Sequence, residues 1–190
     1  MNIEPLRVEL DHAAEATRVA RGDDGRPWVL FGSMAMWLHG LRDRVGDVDV
    51  FASHRLWEQL AESWRVRAPH PTDPPYLERL VNGVVVNVFY TWTVRDPEVD
   101  ARECRRAAEL VGGWWCTPLQ VIRQHKQKGV SHPDPRYAKH RHDIAILDQH
   151  LATQVVAHAR TTERQGREAR GPELGAEPVE RGSSTVRRSS

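Results

Sequence analysis

The chain has 190 residues and a formal net charge of +1, and 39% of its residues are hydrophobic. This length and apolar fraction predict a single globular domain. The near-neutral charge argues against a protein that binds nucleic acid through bulk positive charge. The chain has two cysteines, Cys104 and Cys116, which excludes a disulfide framework and a four-cysteine zinc site.

The sequence also argues against membrane insertion and secretion. Mean hydropathy is −0.60, and no apolar run approaches the roughly 18 residues that a membrane helix needs. Residues 1–12 contain acids where a signal peptide would be apolar. Together with the low cysteine content, these features predict a cytoplasmic protein without a membrane partner, and they leave the oligomeric state open.

Residues 160–190 differ from the rest of the chain. They contain seven arginines, five glutamates and no aromatic residue. Such a segment cannot bury enough apolar surface to offset its ordering entropy, which predicts a disordered tail. Residues 1–159 are then the folded domain.

Apolar periodicity, caps and turn residues predict the secondary structure. The first half has, in order, a helix over Pro5–Arg21, a turn at Asp23–Gly25, a strand over Trp28–Phe31, a helix over Met34–His39 capped by Ser33, a strand over Asp47–Phe51 and a helix from Ser53 to about Trp64.

The second half has a loop over Pro69–Pro75, strands over Tyr76–Val81 and Val84–Thr91 joined by an Asn82-Gly83 turn, a helix over Glu98–Leu110, a helix from Thr117-Pro118 to Gly129, a loop over Ser131–Arg136 and a helix over Tyr137–Ala159. The fold class predicted from this order is α+β (mixed α/β), with a central sheet of three to five strands.

The segment Gly32–Phe51 carries the chemistry. Gly32 follows a strand and lets backbone approach a ligand, while Ser33 opens a helix whose free N–H groups suit a phosphate. Asp47 and Asp49 are two residues apart on a strand and therefore share one face. Two close carboxylates need a proton or a cation, and Mg²⁺ is the expected partner beside a phosphate. The alternative is that both acids lie on a solvated strand face.

This segment, GSMAMWLHGLRDRVGDVDVF, resembles the signature of the DNA polymerase β-like nucleotidyltransferase superfamily. The likeness is greatest to minimal nucleotidyltransferases of the abortive-infection, toxin–antitoxin and antibiotic-modifying types. Thr117–Gly129 and Arg136–Leu147 resemble later helices of the family, so the resemblance spans Trp28–Leu147. Gly46 is a small departure, because close relatives tend to have Thr or Ser there.

The resemblance implies that Gly32 and Ser33 hold the triphosphate of an NTP. It also implies that Asp47 and Asp49 are catalytic residues that bind Mg²⁺ bridging the phosphates. The reaction it implies is transfer of a nucleoside monophosphate to an acceptor hydroxyl, which leaves RNA, a protein or a small molecule open as the acceptor.

Basic residues elsewhere receive roles from the same resemblance. Lys126 would contact a phosphate, Lys139 would be a further basic contact, and Arg44 would lie at the pocket edge. Asp143 would organise a helix rather than act in catalysis.

The family commonly has a third carboxylate on a neighbouring strand, and here the matching position is Asn87. An amide can ligate a cation through oxygen, but it carries no charge and cannot act as a base. Asn87 therefore leaves a second interpretation open beside an active enzyme, which is a non-catalytic nucleotide- or nucleic-acid-binding relative. A third interpretation, independent of Asn87, is an unrelated structural or interaction protein whose motif match is accidental.

Other residues suggest weaker alternatives. His125, His132 and His140 lack the spacing of a zinc site, and His142-Asp143 lacks the further ligands of an HD phosphohydrolase. Cys104 follows Arg102 and precedes Arg105 and Arg106, which could lower its pKa, although a surface or half-buried helix cysteine is the simpler interpretation.

Overall fold

The computed structural model describes residues 2–17, 26–68, 74–91, 100–130 and 138–169. The chain divides into two units, Met1–Ala152 and Thr153–Ser190. Within the described ranges, every helix is too short or too polar to cross a lipid bilayer.

Six helices and seven strands lie in the described residues. The helices are α1 (Glu4–Thr17), α2 (Gly32–Leu38), α3 (His54–Ala61), α4 (Ala101–Arg106), α5 (Leu119–Val130) and α6 (Lys139–Ala169). The strands are β1 (Trp28–Phe31), β2 (Asp47–Ala52), β3 (Arg65–Arg67), β4 (Tyr76–Val81), β5 (Val84–Phe89), β6 (Glu109–Val111) and β7 (Trp114–Cys116).

All seven strands form one mixed sheet in the order β3-β4-β5-β2-β1-β7-β6. Strand β2 pairs in parallel with β5, and β1 in parallel with β7, while the remaining neighbours are antiparallel. The predicted mixed α/β class is confirmed, but the predicted count of three to five strands is wrong. The unpredicted strands β3, β6 and β7 have three residues each, too few for an alternating pattern to show.

Several predicted boundaries change. The helix predicted over Glu98–Leu110 contains only α4, because Glu109 begins strand β6. The final helix continues beyond Ala159 to Ala169, so the first ten residues of the predicted tail have helical backbone. The turn at 23–25 and the loop at 131–136 lie outside the described residues, as do residues 170–190, where disorder stays a prediction.

Other local predictions are confirmed. Asn82 and Gly83 have φ values of 48° and 80°, the left-handed pair that a type I′ turn requires, and they join β4 to β5 in the expected register. Ser53 caps α3, since its side chain accepts a hydrogen bond from the Leu56 N–H at 3.2 Å.

The two faces of the central strands differ in chemistry. Val48 and Val50 of β2 are fully buried, as are Val86 and Val88 of β5, and all four belong to the apolar core. Because strand side chains alternate, the residues between these valines lie on the opposite face of the sheet. That face carries Asp47, Asp49 and Asn87.

Candidate functional site

The site begins where β1 ends and the backbone turns into α2. Gly32 has a φ of +63°, a conformation that costs a non-glycine residue about 1–2 kcal/mol. A Cβ atom at this position would lie 3.5 Å from Oδ2 of Asp49. Glycine therefore permits the turn and also leaves space beside that carboxylate.

Strands β2 and β5 place three predicted site residues together. Asp47 and Asp49 share one face of β2, and the parallel register sets Asn87 directly opposite Asp49. The Asn87 Nδ2 atom donates a hydrogen bond to Oδ1 of Asp49, and the two atoms are 3.2 Å apart. Asp47 is exposed, whereas Asp49 is partly buried. The amide nitrogen of Asn87 thus braces one of the two carboxylates.

The environment of Asp49 disfavours its negative charge. Burial, followed by the neighbouring charge of Asp47, raises the pKa of Asp49, and the net result is a pKa of about 6. The hydrogen bond from Asn87 and the positive charges of Lys126 and Lys139 act in the opposite direction. A cation that bound between the two carboxylates would relieve both unfavourable effects.

The donor set suits Mg²⁺ bound together with a phosphate ligand. No group of three or more His, Cys, Asp or Glu side chains that could hold a metal occurs in the described residues. Mg²⁺, however, is usually bound by one or two carboxylates plus substrate phosphates and water, not by an all-protein cage. Asp47 and Asp49 meet that requirement, and the space that Gly32 leaves lies on their side of the sheet.

Ser33 differs from its predicted role. It is the second residue of α2, and the N-cap position is occupied by Phe31. The Phe31 backbone is extended, and its side chain forms no capping hydrogen bond. The prediction that Ser33 caps α2 is therefore wrong. The early turn at Gly32 starts the helix before Ser33 is reached.

Lys126, predicted to contact a phosphate, is buried in the protein. Its exposed fraction is 4%, and its Nζ atom donates a 2.8 Å hydrogen bond to Oδ2 of Asp143, which is 1% exposed. The structure therefore pairs Lys126 with a carboxylate of α6.

Sequence reasoning missed Arg42, which binds the same carboxylate. Its guanidinium group donates to Oδ1 of Asp143, with Nε at 3.1 Å and a second bond from Nη2. Burial alone would raise the pKa of Asp143, but the hydrogen bonds from Lys126 and Arg42 outweigh it and lower that pKa. The only sequence signal was the proximity of Arg42 to Arg44, because Arg42 and Asp143 are 101 positions apart.

The remaining predicted basic residues are exposed. Lys139 is the first residue of α6, and its charge helps to lower the pKa of both Asp49 and Lys126. Arg44 is exposed in the segment that leads into β2. Lys139 thus acts electrostatically on the carboxylate site, while the role of Arg44 stays a prediction.

The structure bears on the weaker alternatives as well. Cys104 is 2% exposed, and burial raises the pKa of its thiol to about 12, so a thiol activated by neighbouring arginines is wrong. His125 and His140 have ring centroids 6.4 Å apart and form no metal-binding group with other described residues. His132 lies outside the described residues.

Comparison with known proteins yields a distant structural likeness. The chain matches no protein-family model and no curated protein. The crystal structure of "a putative nucleotidyltransferase" from Thermotoga maritima is 17% identical to this chain, with a TM-score of 0.41. The alignment covers 88% of this chain and 96% of that one. At that distance the likeness says nothing about substrate or catalysis, so the function rests on the residues of the site.

Proposed function

We propose that the chain is a nucleotidyltransferase that transfers a nucleoside monophosphate from Mg·NTP to an acceptor hydroxyl of RNA, a protein or a small molecule. The observation that carries this proposal is the position of Gly32 beside Asp49 at a strand-to-helix turn, where a Cβ atom on Gly32 would already contact the carboxylate. Two same-face carboxylates next to such a turn suit a metal-bound polyphosphate.

In this proposal the carboxylates of Asp47 and Asp49 hold Mg²⁺, and the turn at Gly32 admits the triphosphate. Bound Mg²⁺ would supply charge neutralisation on the phosphate oxygens and orient the phosphate for in-line displacement. The acceptor hydroxyl releases its proton to solvent as its oxygen forms a bond to the α-phosphorus, and the bond to the pyrophosphate leaving group breaks. Asn87 holds the Asp49 carboxylate in place through its hydrogen bond. Asp47, being exposed, is the carboxylate open to an incoming acceptor.

A second candidate is a protein that binds Mg·NTP without transferring it, and Asn87 favours this candidate. Its amide nitrogen is bound to Asp49, and an amide accepts no proton from an acceptor hydroxyl. Glu78 of β4 lies opposite Asn87 of β5. The Glu78 carboxylate accepts a 2.9 Å hydrogen bond from Arg67 of β3, the next strand in the sheet. Neither residue is positioned as a ready base.

The test is incubation of the purified protein with each of the four NTPs labelled at the α-phosphate, with Mg²⁺ and cell extract. The proposal predicts that one or more α-labelled NTPs label one macromolecular or small-molecule fraction. The same NTPs labelled at the γ-phosphate should leave that fraction without label. Asp47→Asn abolishes transfer, while Asp148→Asn, which removes an exposed carboxylate from α6, leaves it unchanged.

The alternative gives a different pattern. Mg-dependent NTP binding without label transfer in any extract fraction supports the non-catalytic protein. Absence of both binding and transfer contradicts the proposed function altogether.

A further inference from the structure

Two cations meet one buried carboxylate, and one of them, Lys126, acts electrostatically on Asp49. Lys126 binds Oδ2 of Asp143 and Arg42 binds Oδ1, so the two cations occupy opposite oxygens of a single side chain. The three groups come from α5, α6 and the segment between α2 and β2. Because two of the three groups are positive and one is negative, their net charge is +1.

The two cations differ in access to solvent. The Lys126 side chain is 6% exposed, whereas that of Arg42 is 25% exposed. A guanidinium group has five N–H donors, and Arg42 uses only Nε and Nη2 for Asp143, with no other partner among the described residues. Arg42 therefore keeps donors for an anion, while Lys126 cannot reach one without unburying.

Lys139 is the second accessible cation of the region. It is exposed at the start of α6, and its charge lowers the pKa of Asp49 and of Lys126. Lys139 is thus electrostatically coupled to the Asp49 carboxylate and to the Lys126–Asp143 pair. Arg42 and Lys139 both act electrostatically on buried Lys126 and are both accessible, so two separate cations of this region are open to an anion, and an extended anion can engage both.

We propose that Arg42 and Lys139, rather than Lys126, contact the polyphosphate of the bound nucleotide, and that the buried Lys126–Asp143 pair positions Arg42. This proposal rests on the proposed function for the identity of the ligand. It assigns a binding role to Arg42, a positioning role to Asp143, and to Lys126 the role of a buried counter-ion. A fixed, planar guanidinium group is well suited to bidentate phosphate recognition.

The binding test uses inorganic tripolyphosphate without Mg²⁺, titrated into the full chain in EDTA at low salt and followed by calorimetry. We expect tripolyphosphate to bind at least about tenfold more tightly than orthophosphate, since each charge-assisted hydrogen bond contributes about 1.5–3 kcal/mol. Arg42→Ala and Lys139→Ala each weaken tripolyphosphate binding by about tenfold. Equal affinity for the two anions contradicts the extended site.

The matched control is Arg123→Ala. Arg123 pairs with Asp148 across the same two helices that Lys126 and Asp143 connect, but this ion pair is exposed. The substitution removes the same charge as Arg42→Ala and leaves tripolyphosphate affinity unchanged. The proposal is overturned if Arg42→Ala binds as tightly as Arg123→Ala.

Two further variants separate positioning from charge balance. Asp143→Asn removes a negative charge, which by coulombic attraction alone would tighten anion binding. If Asp143 positions Arg42, the affinity falls instead, so the sign of the change decides between the two roles. Lys126→Met lowers the unfolding midpoint but leaves the tripolyphosphate affinity within about threefold of the wild-type value. If the methionine variant does not fold, Lys126→Arg is used in its place. The assignment is overturned if a folded Lys126 variant loses as much tripolyphosphate affinity as Arg42→Ala does.

Failure of the proposed function gives a separate signature. Tripolyphosphate binding and its dependence on Arg42 would persist, but Mg²⁺ with NTP would add no affinity and no label would be transferred. Conversely, Mg·NTP binding that is unchanged by Arg42→Ala and Lys139→Ala leaves the function standing and overturns this inference.

Discussion

Two aspartates of this protein, Asp143 on α6 and Asp49 on β2, meet opposite electrostatic conditions. Asp143 is almost fully buried, yet Lys126 and Arg42 bind both of its oxygens and lower its pKa. Asp49 is less buried, but burial and the charge of Asp47 raise its pKa to about 6. The protein thus bonds one carboxylate directly to two cations, whereas the other receives an amide hydrogen bond and only the more distant charges of Lys126 and Lys139.

The difference distinguishes a carboxylate that contributes to folding from one that can bind a ligand. A carboxylate with two internal cations contributes to folding and has little capacity left for a ligand. A carboxylate held beside a like charge costs stability unless a proton or an external cation binds. This contrast supports Asp49 as a ligand-binding residue and Asp143 as a residue that organises its surroundings.

The largest expected effect is on the internally paired aspartate. Asp143→Ala leaves Lys126 buried without its carboxylate, and breaking a buried pair in this way costs about 3–5 kcal/mol. Urea unfolding at pH 7 measures the change in the free energy of unfolding. A loss below about 1 kcal/mol would mean that water reaches Lys126 and that the pair is not a stabilising element.

The opposite sign is expected for Asp49. Because its folded-state pKa is raised, unfolding is linked to proton release, and the stability of the wild type falls as pH rises from about 4 to about 6. Asp49→Asn removes this loss and raises the free energy of unfolding at pH 7 in EDTA by about 3 kcal/mol. At pH 4 the variant and the wild type have equal stability.

The pH series decides this prediction. Unfolding curves of Asp49→Asn and wild type should converge below pH 4 and separate above pH 6. A constant difference at every pH would show that the effect is packing rather than charge.

A smaller effect is expected at Asn87. Asn87→Asp places a third carboxylate beside Asp49 and removes the amide donor, so the fold loses about 1 kcal/mol at pH 7 in EDTA. Mg²⁺ restores that stability if the three side chains share one metal site. Thermal unfolding with and without Mg²⁺ measures both effects. An identical midpoint shift in both conditions would place Asn87 outside the metal site.

No measurable change in stability is expected for the exposed ion pair between α5 and α6. Arg123→Ala removes an ion pair with Asp148 that is open to solvent, and pairs of this kind contribute little. Its unfolding midpoint should equal that of the wild type, in contrast to Asp143→Ala. A midpoint shift comparable to that of Asp143→Ala would remove the distinction between buried and exposed pairs.

The sequence predicted the elements with strong local signals. The Asn82-Gly83 turn specifies its own backbone conformation, and the alternation of Asp47–Phe51 specifies both a strand and the face that carries the acids. These two features suffice to place the carboxylates correctly, because a strand's alternation depends on neighbouring residues alone.

The sequence could not reveal features that depend on distant contacts. Strand β7 has three residues and exists because it pairs with β1 some 85 positions earlier, so no local pattern announces it. The same holds for Arg42 and Asp143, which lie 101 positions apart. The phosphate contact of Lys126 is implied by the family resemblance, whereas its burial and its pairing with Asp143 come from packing and are invisible in the sequence.

The most decisive measurement is calorimetric titration of each NTP into the wild type and into Asp49→Asn, in Mg²⁺ and in EDTA. If Asp47 and Asp49 hold the metal that binds the triphosphate, at least one NTP binds the wild type in Mg²⁺, and removal of Mg²⁺ weakens that binding. In Asp49→Asn the Mg-dependent part of the affinity disappears although the protein is folded and more stable at pH 7. Unchanged Mg·NTP affinity in Asp49→Asn would show that the carboxylate pair is not the metal site.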